Sequence, residues 1–248
     1  MVQAQLKIVW PAHKTAVIVP TYDDALTSQL NIAIPQLDST HLTGTFFLTG
    51  NLNNAAIKKC RIVGSKRYEL ANHTLYHPCL STTVKSDQAN ASENYSVYAI
   101  IREISMMNNL LFALDGKTTR TYAYSCTETT VRGVSYIDSL RRSGLIKYAR
   151  IGANADVIVT DLKYIDPFLV PSWGLPGNNT GTELIAFKKK VQKNRSIGIF
   201  MFHGVGGDYI TTPAAAHKNL LKYLEKHPEI WVATFQQPMD YITQSNKQ

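Results

Sequence analysis

Cysteine is scarce in this 248-residue chain: there are three, at positions 60, 79 and 126. None forms a CxxC pair, and an odd count gives no disulfide framework, so neither a cysteine zinc site nor a disulfide scaffold is expected. Cys60 reads as packed in a helix, and Cys79 as an outside candidate for a metal ligand. Apolar runs of transmembrane length are missing, so no membrane span is expected. The N-terminus has no basic segment followed by an apolar one, so no intact signal peptide is read. It opens Met1-Val2-Gln3-Ala4-Gln5, and Val-Gln-Ala resembles the small-residue tail of a signal cleavage site. The expectation is a secreted or periplasmic mature fragment behind an added Met1, with the cytoplasm as the alternative. RRM, zinc-finger and basic-zipper patterns are absent, so no nucleic-acid partner is expected. The formal charge of +8, from 26 basic against 18 acidic residues, then reads as a solvated basic surface. Lys188-Lys189-Lys190 is expected to face water from a helix. Repeats, low-complexity tracts and long linkers are also missing, so the chain is read as one domain, 1–248, with its core at about 16–242. Nothing fixes an oligomeric state.

The order of elements is regular. Apolar strand-like runs at 16–21, 44–49, 67–72, 119–124, 146–151, 197–202 and 230–235 alternate with helical patterns at 25–37, 53–63, 95–114, 129–143, 183–193, 213–226 and 238–244. The stretches 82–94 and 154–180, the latter with Pro167, Pro171 and Pro176, read as loops. Strand–helix alternation is the signature of a parallel α/β fold, as an open sheet or a closed barrel. In a barrel the chemistry gathers at the C-terminal ends of the strands.

Three strand ends carry chemistry. Thr21-Tyr22-Asp23-Asp24 follows the apolar run 16–20, and two adjacent carboxylates there repel each other unless a cation or base role accounts for them. His73-Thr74-Leu75-Tyr76-His77-Pro78 places two imidazoles four residues apart, which a helical turn would bring to one face and onto one cation. Met201-Phe202-His203-Gly204 delivers a third histidine. Gly204-Val205-Gly206-Gly207 lacks the Lys-Ser/Thr end of a phosphate loop and reads as a flexible turn. His217 reads as helix surface, or else as lining of the mouth.

These stretches resemble the motifs of the polysaccharide deacetylases, the NodB-homology or family 4 carbohydrate esterases: Thr-Phe-Asp-Asp, His-Ser/Thr-x-x-His-Pro/Ser and Leu-His. The resemblance implies an irregular (β/α)7 barrel and a metal-dependent deacetylase acting on an acetylated carbohydrate. It implies Asp24, His73 and His77 as ligands of a divalent metal, zinc above others. Asp23 would be the general base, and His203 the general acid for the leaving amine or alkoxide. The family's third motif, Arg-x-Pro-Tyr-Gly, is altered to Tyr122-Ala123-Tyr124-Ser125-Cys126-Thr127. Aligned there, the Cys126 N–H takes the oxyanion-donor role and its thiol is incidental. The motif arginine becomes Ala123, with Arg120 as a competing candidate and Arg150, at the end of the fifth strand-like run, as the replacement that orients Asp23. The fourth motif is blurred: Trp173 is expected to wall the acetyl pocket together with Tyr124 as a substrate contact, and Asp166 is the nearest acid for His203. Two alternatives stay open, a hydrolase of a small non-sugar amide and a glycan-binding protein whose catalysis has decayed.

Overall fold

The computed structural model describes residues 9–84, 88–153, 156–159 and 161–246; the Val2-Gln3-Ala4 segment and parts of the 154–180 loop lie outside them. The strands are β1 (Ala16–Asp23), β2 (Thr45–Leu48), β3 (Glu69–Asn72), β4 (Thr121–Ala123), a hairpin of β5 (Thr130–Val131) and β6 (Val134–Ser135), β7 (Tyr148–Ala153), β8 (Val170–Gly174), β9 (Ile197–Phe202) and β10 (Ile230–Val232). The helices are α1 (Ile34–Ser39), α2 (Asn54–Gly64), α3 (Val97–Asp115), α4 (Ile137–Ser143), α5 (Gly181–Lys193), α6 (Ala214–Glu225) and α7 (Gln236–Ser245).

Seven parallel strands close into a barrel in the order β1-β2-β3-β4-β7-β8-β9, with β9 returning to β1. β10 stands beside the ring. It pairs with Ala16–Ile18 at the lower end of β1, while β2 pairs with Thr21–Asp23 at the upper end. All eight residues of β1 are buried, because one face meets the barrel interior and the other the helices. That is why the run is continuously apolar rather than alternating. Val17, Val19, Phe47, Ala71, Ala123, Val170 and Ile199 fill the interior. Ile18, Tyr22, Phe46, Phe200 and Phe202 face the helical layer, where Tyr22 stacks on Phe46 at 4.7 Å.

The seven expected strands are not the seven of the ring. The 154–180 stretch contains β8, paired in parallel with β7 and β9, and the strand expected at 230–235 is β10. Pro171 hid β8: a proline lacks the N–H for a ladder bond, but at that position β8 is paired with β7 alone, since its pairing with β9 begins at Trp173. The helix expected over 129–143 begins as a hairpin, because Arg132 and Gly133 both take positive φ (47° and 72°), the geometry of a two-residue turn. The helix expected over 25–37 is a π-helical turn at Gln29–Ala33 followed by α1.

Lys188 does not face water. It is 1% exposed, lies over the Tyr223 ring at 5.0 Å and donates to Gln192. By length and composition α3 is apolar enough to cross a membrane, which the sequence reading did not expect. Here Ile100, Ile104, Met107 and Leu111 are buried in the fold, so it serves as an amphipathic core helix. His217 is neither surface nor mouth. Fully buried, it bonds Gln36 Oε1 through Nδ1 and the Tyr22 hydroxyl through Nε2, both at 2.7 Å. Burial pushes its pKa down to about 3, so it stays neutral.

Arg120, the competing motif arginine, sits at the lower end of the barrel and is ion-paired to Asp115 at 2.6 Å with both side chains buried. Arg120→Ala would strand the Asp115 carboxylate. It is expected to destabilise the fold by about 3–5 kcal/mol, read as a shift in the urea unfolding midpoint. A midpoint equal to wild type would contradict this placement.

Candidate active site

The upper rim collects Asp23 from the end of β1, His73 just past β3, Arg150 from β7, Ser172 from β8 and His203 just past β9. Parallel closure brings them together, since every strand points its C-terminal end to the same mouth.

The histidine pair does not lie on a helical turn. Thr74 and His77 adopt left-handed backbone (φ 65° and 54°), and the segment between them is a tight loop. The Asn72 side chain shapes it, accepting from Thr74 N (2.8 Å) and donating to Ile104 O and Asn108 Oδ1. Thr74 Oγ1 accepts from His77 N at 3.0 Å. Glu103 of α3, buried beneath this loop, accepts from the Tyr95 hydroxyl at 2.9 Å.

In this loop His73 Nδ1 donates to Ala123 O at 2.8 Å, which leaves Nε2 with its lone pair toward the mouth. His73 Nε2 lies 3.1 Å from His77 Nε2 and 3.4 Å from Asp24 Oδ1, and His77 Nε2 lies 3.3 Å from the same oxygen. Tetrahedral ligands at a zinc–nitrogen distance of about 2.0–2.1 Å stand roughly 3.3 Å apart, so the triangle fits a cation of that size. Asp24 Oδ1 is buried with no hydrogen-bond donor among the described residues, a costly state for a carboxylate oxygen that a cation would relieve. The protonation pattern agrees. Burial opposes charge on Asp24, but the adjacent His73 imidazole, then His77 and His203, hold its carboxyl well below the usual range. Burial disfavours charge on His73 too, yet the adjacent Asp24 carboxylate, then Asp23, raise its pKa. Burial and the neighbouring His73 push His77 down to about 4.

Asp23 is kept apart from this triangle. Its Oδ1 accepts from Arg150, whose Nη1 donates to Ser172 Oγ at 3.1 Å and whose guanidinium lies over the Phe47 ring at 4.6 Å. Its Oδ2 stands 3.9 Å from His73 Nε2. Arg150 is 1% exposed and faces the interior between β4 and β8. His203 Nε2 is 3.8 Å from Asp24 Oδ2, and its buried Nδ1 has no partner among the described residues. Asp166 is bonded to Arg141 at 3.0 Å instead, so it is not the acid behind His203.

Three expectations are corrected. Trp173 does not wall the pocket: Ser172 takes the inward position on β8, so alternation turns Trp173 outward onto Phe187 and Phe200 (4.9 and 5.9 Å). Tyr124 is likewise outward, packed edge-on against Tyr122 and beside Tyr136. The Cys126 thiol is not incidental, since it forms a disulfide with Cys79. That bond also removes Cys79 as a thiolate ligand.

Sequence reading missed several residues. Tyr209 donates its hydroxyl to Asp24 Oδ2 at 2.6 Å, and Gln29 donates to the main-chain oxygens of both Asp23 and His203. Neither lies within a motif; the loop after β9 and the π-turn after β1 bring them in. That loop is tight rather than flexible: a Cβ on Gly204 would collide with Gly207 O. Beside the triangle a cleft of about 490 Å³ opens, lined by Asp24, His77, Tyr76, Tyr209, Leu75 and Asn51 among others. Its volume is that of a small-molecule or saccharide site.

Comparison with known proteins gives a consistent result. A family model described as polysaccharide deacetylase matches residues 11–140, just over half of the chain. No curated protein matches. Among solved structures, one described as a polysaccharide deacetylase from Mycobacterium smegmatis aligns with a TM-score of 0.69 at 14% identity, over 96% of this chain and 94% of that one. A peptidoglycan deacetylase from Bacillus subtilis aligns with a TM-score of 0.53 at 15% identity, over 94% and 93%. A family 4 carbohydrate esterase pseudoenzyme from Bacillus anthracis aligns with a TM-score of 0.53 at 13% identity, over 90% and 65%. At such identities the likeness carries the fold.

Tyr209→Phe removes the hydroxyl that supports the Asp24 carboxylate. Zinc affinity, read by competition with a chromophoric chelator, is expected to fall about 10-fold; an unchanged affinity would contradict a role for this bond. Protonation of His73 competes with any cation, and its pKa lies above the ordinary 6.5. Zinc affinity is therefore expected to weaken as pH falls through a value above 6.5, and a pH-independent affinity across the neutral range would contradict the ligand set.

Proposed function

The chain belongs to the polysaccharide deacetylase family, and from that premise we propose that it is a metal-dependent hydrolase that removes N- or O-acetyl groups from a carbohydrate. The reading takes the chain as one domain with its core at about 16–242. The observation that carries it is the triangle of Asp24 Oδ1, His73 Nε2 and His77 Nε2 beside an Asp23 carboxylate held apart from it. A divalent cation on those three atoms, zinc by its donor set, supplies Lewis acidity that polarises the acetyl carbonyl and lowers the pKa of a water.

The chain's own residues do the rest. Asp23, oriented by Arg150 and 3.9 Å from the ligand His73, takes the proton from the attacking water. Arg150, itself held by Ser172, fixes that carboxylate in place. The Cys126 N–H donates to the oxygen that becomes negative during attack. His203, across Asp24 from the histidine pair, gives a proton to the departing amine or alkoxide. The cleft beside Tyr76 and Tyr209 receives the sugar. The Cys79–Cys126 disulfide supports a secreted or periplasmic setting, since such bonds persist where the medium is oxidising.

A second reading, a glycan-binding protein without turnover, draws on the replaced third motif and on the likeness to a pseudoenzyme. One experiment separates the two: zinc content and acetate release from acetylated chitooligosaccharides and acetylated xylan, for wild type and His73→Ala. Bound zinc with acetate release that chelation and His73→Ala both abolish is the expected result. Zinc without release from either glycan rejects carbohydrate deacetylation and leaves the small-amide and glycan-binding readings. Absence of zinc binding rejects the ligand set. Arg150→Ala is expected to lower turnover about 10²-fold or more with zinc content unchanged; turnover close to wild type rejects its role.

A further inference from the structure

The chain from Tyr124 to Thr127 runs across the end of β4 as a short strap, and it is tied to the histidine loop residue by residue. Ala123 O receives His73 Nδ1 at 2.8 Å. Ser125 Oγ lies 3.1 Å from Thr74 Oγ1. Cys126 is bonded through sulfur to Cys79, whose Sγ stands 3.5 Å from His77 Nδ1. Each link joins the strap to a metal-ligand candidate or to a residue within two positions of one.

The strap's backbone is held in an unfavourable form. Cys126 and Thr127 are consecutive left-handed residues, with φ of 49° and 61°, and neither is glycine. Side chains with a Cβ rarely adopt that region unless their surroundings impose it. Ser125 is held by Thr74, and Glu128 accepts from Leu80 N at 2.9 Å. Between them, Cys126 is gripped by its covalent bond to Cys79. That bond therefore sits at a left-handed residue, the one whose N–H the deacetylase reading assigns as the oxyanion donor.

We propose that the Cys79–Cys126 disulfide is a positioning element for the reaction: it fixes the Cys126 main chain against the histidine loop, and its reduction lowers turnover while the metal ligands stay in place. The inference rests on the deacetylase reading for the role of the Cys126 N–H. Reduction by a phosphine is balanced. Phosphorus attacks one sulfur and the S–S bond breaks. Water then supplies the oxygen of the phosphine oxide and the protons of the two thiols. Cys60, the other cysteine, is fully buried in α2 and takes no part.

The test compares oxidised and phosphine-reduced holoprotein for zinc content, for kcat and KM on an acetylated chitooligosaccharide, and for affinity toward a phosphonate analogue of the tetrahedral intermediate. The expected result is full zinc retention, KM within about twofold, and kcat lower by about 10²-fold. Phosphonate affinity should weaken in step with kcat, because the lost interaction belongs to the transition state. Reoxidation should restore all three. The double variant C79A/C126A should match the reduced protein; if it fails to fold, the reduced and reoxidised samples still decide. Equal kcat and phosphonate affinity in both redox states would overturn the inference, as would loss of zinc on reduction, which would make the bond a support of the ligands and not of the strap. Phosphonate binding is read without turnover. An oxidised protein that binds phosphonate tightly but releases no acetate would thus count against the deacetylase reading, while the redox comparison would still stand or fall on its own.

Discussion

Two neighbouring carboxylates buried at the end of one strand are the constraint around which the upper half of this molecule is built. Asp23 and Asp24 would repel each other in a medium of low dielectric, and each needs a separate cationic partner. Alternation along the chain supplies the separation. Asp23 turns to the Arg150 guanidinium inside the barrel, and Asp24, after a left-handed turn at φ 78°, faces three imidazoles and the Tyr209 hydroxyl. Arg150 in turn is held by Ser172 and Phe47, so strands β2, β7 and β8 all serve the first carboxylate. The second draws on β3 and on the loop after β9.

This division explains why the pair is not a defect in stability. A lone buried carboxylate would take up a proton. Here one is paired with a permanent cation, and the other is left with an oxygen that no donor among the described residues reaches. The histidine loop faces that oxygen with two lone pairs 3.1 Å apart, an arrangement of mutually repelling donors that a shared positive charge turns into an attraction. The same logic accounts for the backbone. Non-glycine residues with left-handed backbone occur at turns elsewhere, such as His41 and Arg195, but Asp24, Thr74, His77, Cys126 and Asp208 adopt it at the mouth, where the surrounding bonds hold conformations that free chains avoid.

Much of this was readable in the sequence because it rests on short patterns. The strand ends carrying Asp23, His73 and His203 follow apolar runs whose period is plain, and Arg150 was placed on Asp23 by its position at the end of a strand. What could not be read depends on contacts between distant segments. Tyr209 and Gln29 reach the site from a loop and a π-turn with no motif. The Cys79–Cys126 bond joins residues 47 apart in a chain whose odd cysteine count argued against it. Trp173 and Tyr124 were misplaced for one reason, that the facing of a strand depends on register, and a shift of a single residue exchanges inside for outside. β8 was missed because proline content outweighed its partners on either side.

The position of β10 has a consequence for how the edge of β1 is shared. β10 takes that edge at Ala16–Ile18 and β2 takes it at Thr21–Asp23, while β9 covers the opposite edge. Pairing with β2 is thereby confined to the upper end of β1, where Asp23 stands opposite Phe47, the ring beneath the Arg150 guanidinium. The partition of one strand edge decides which neighbour stands beside the reacting carboxylate.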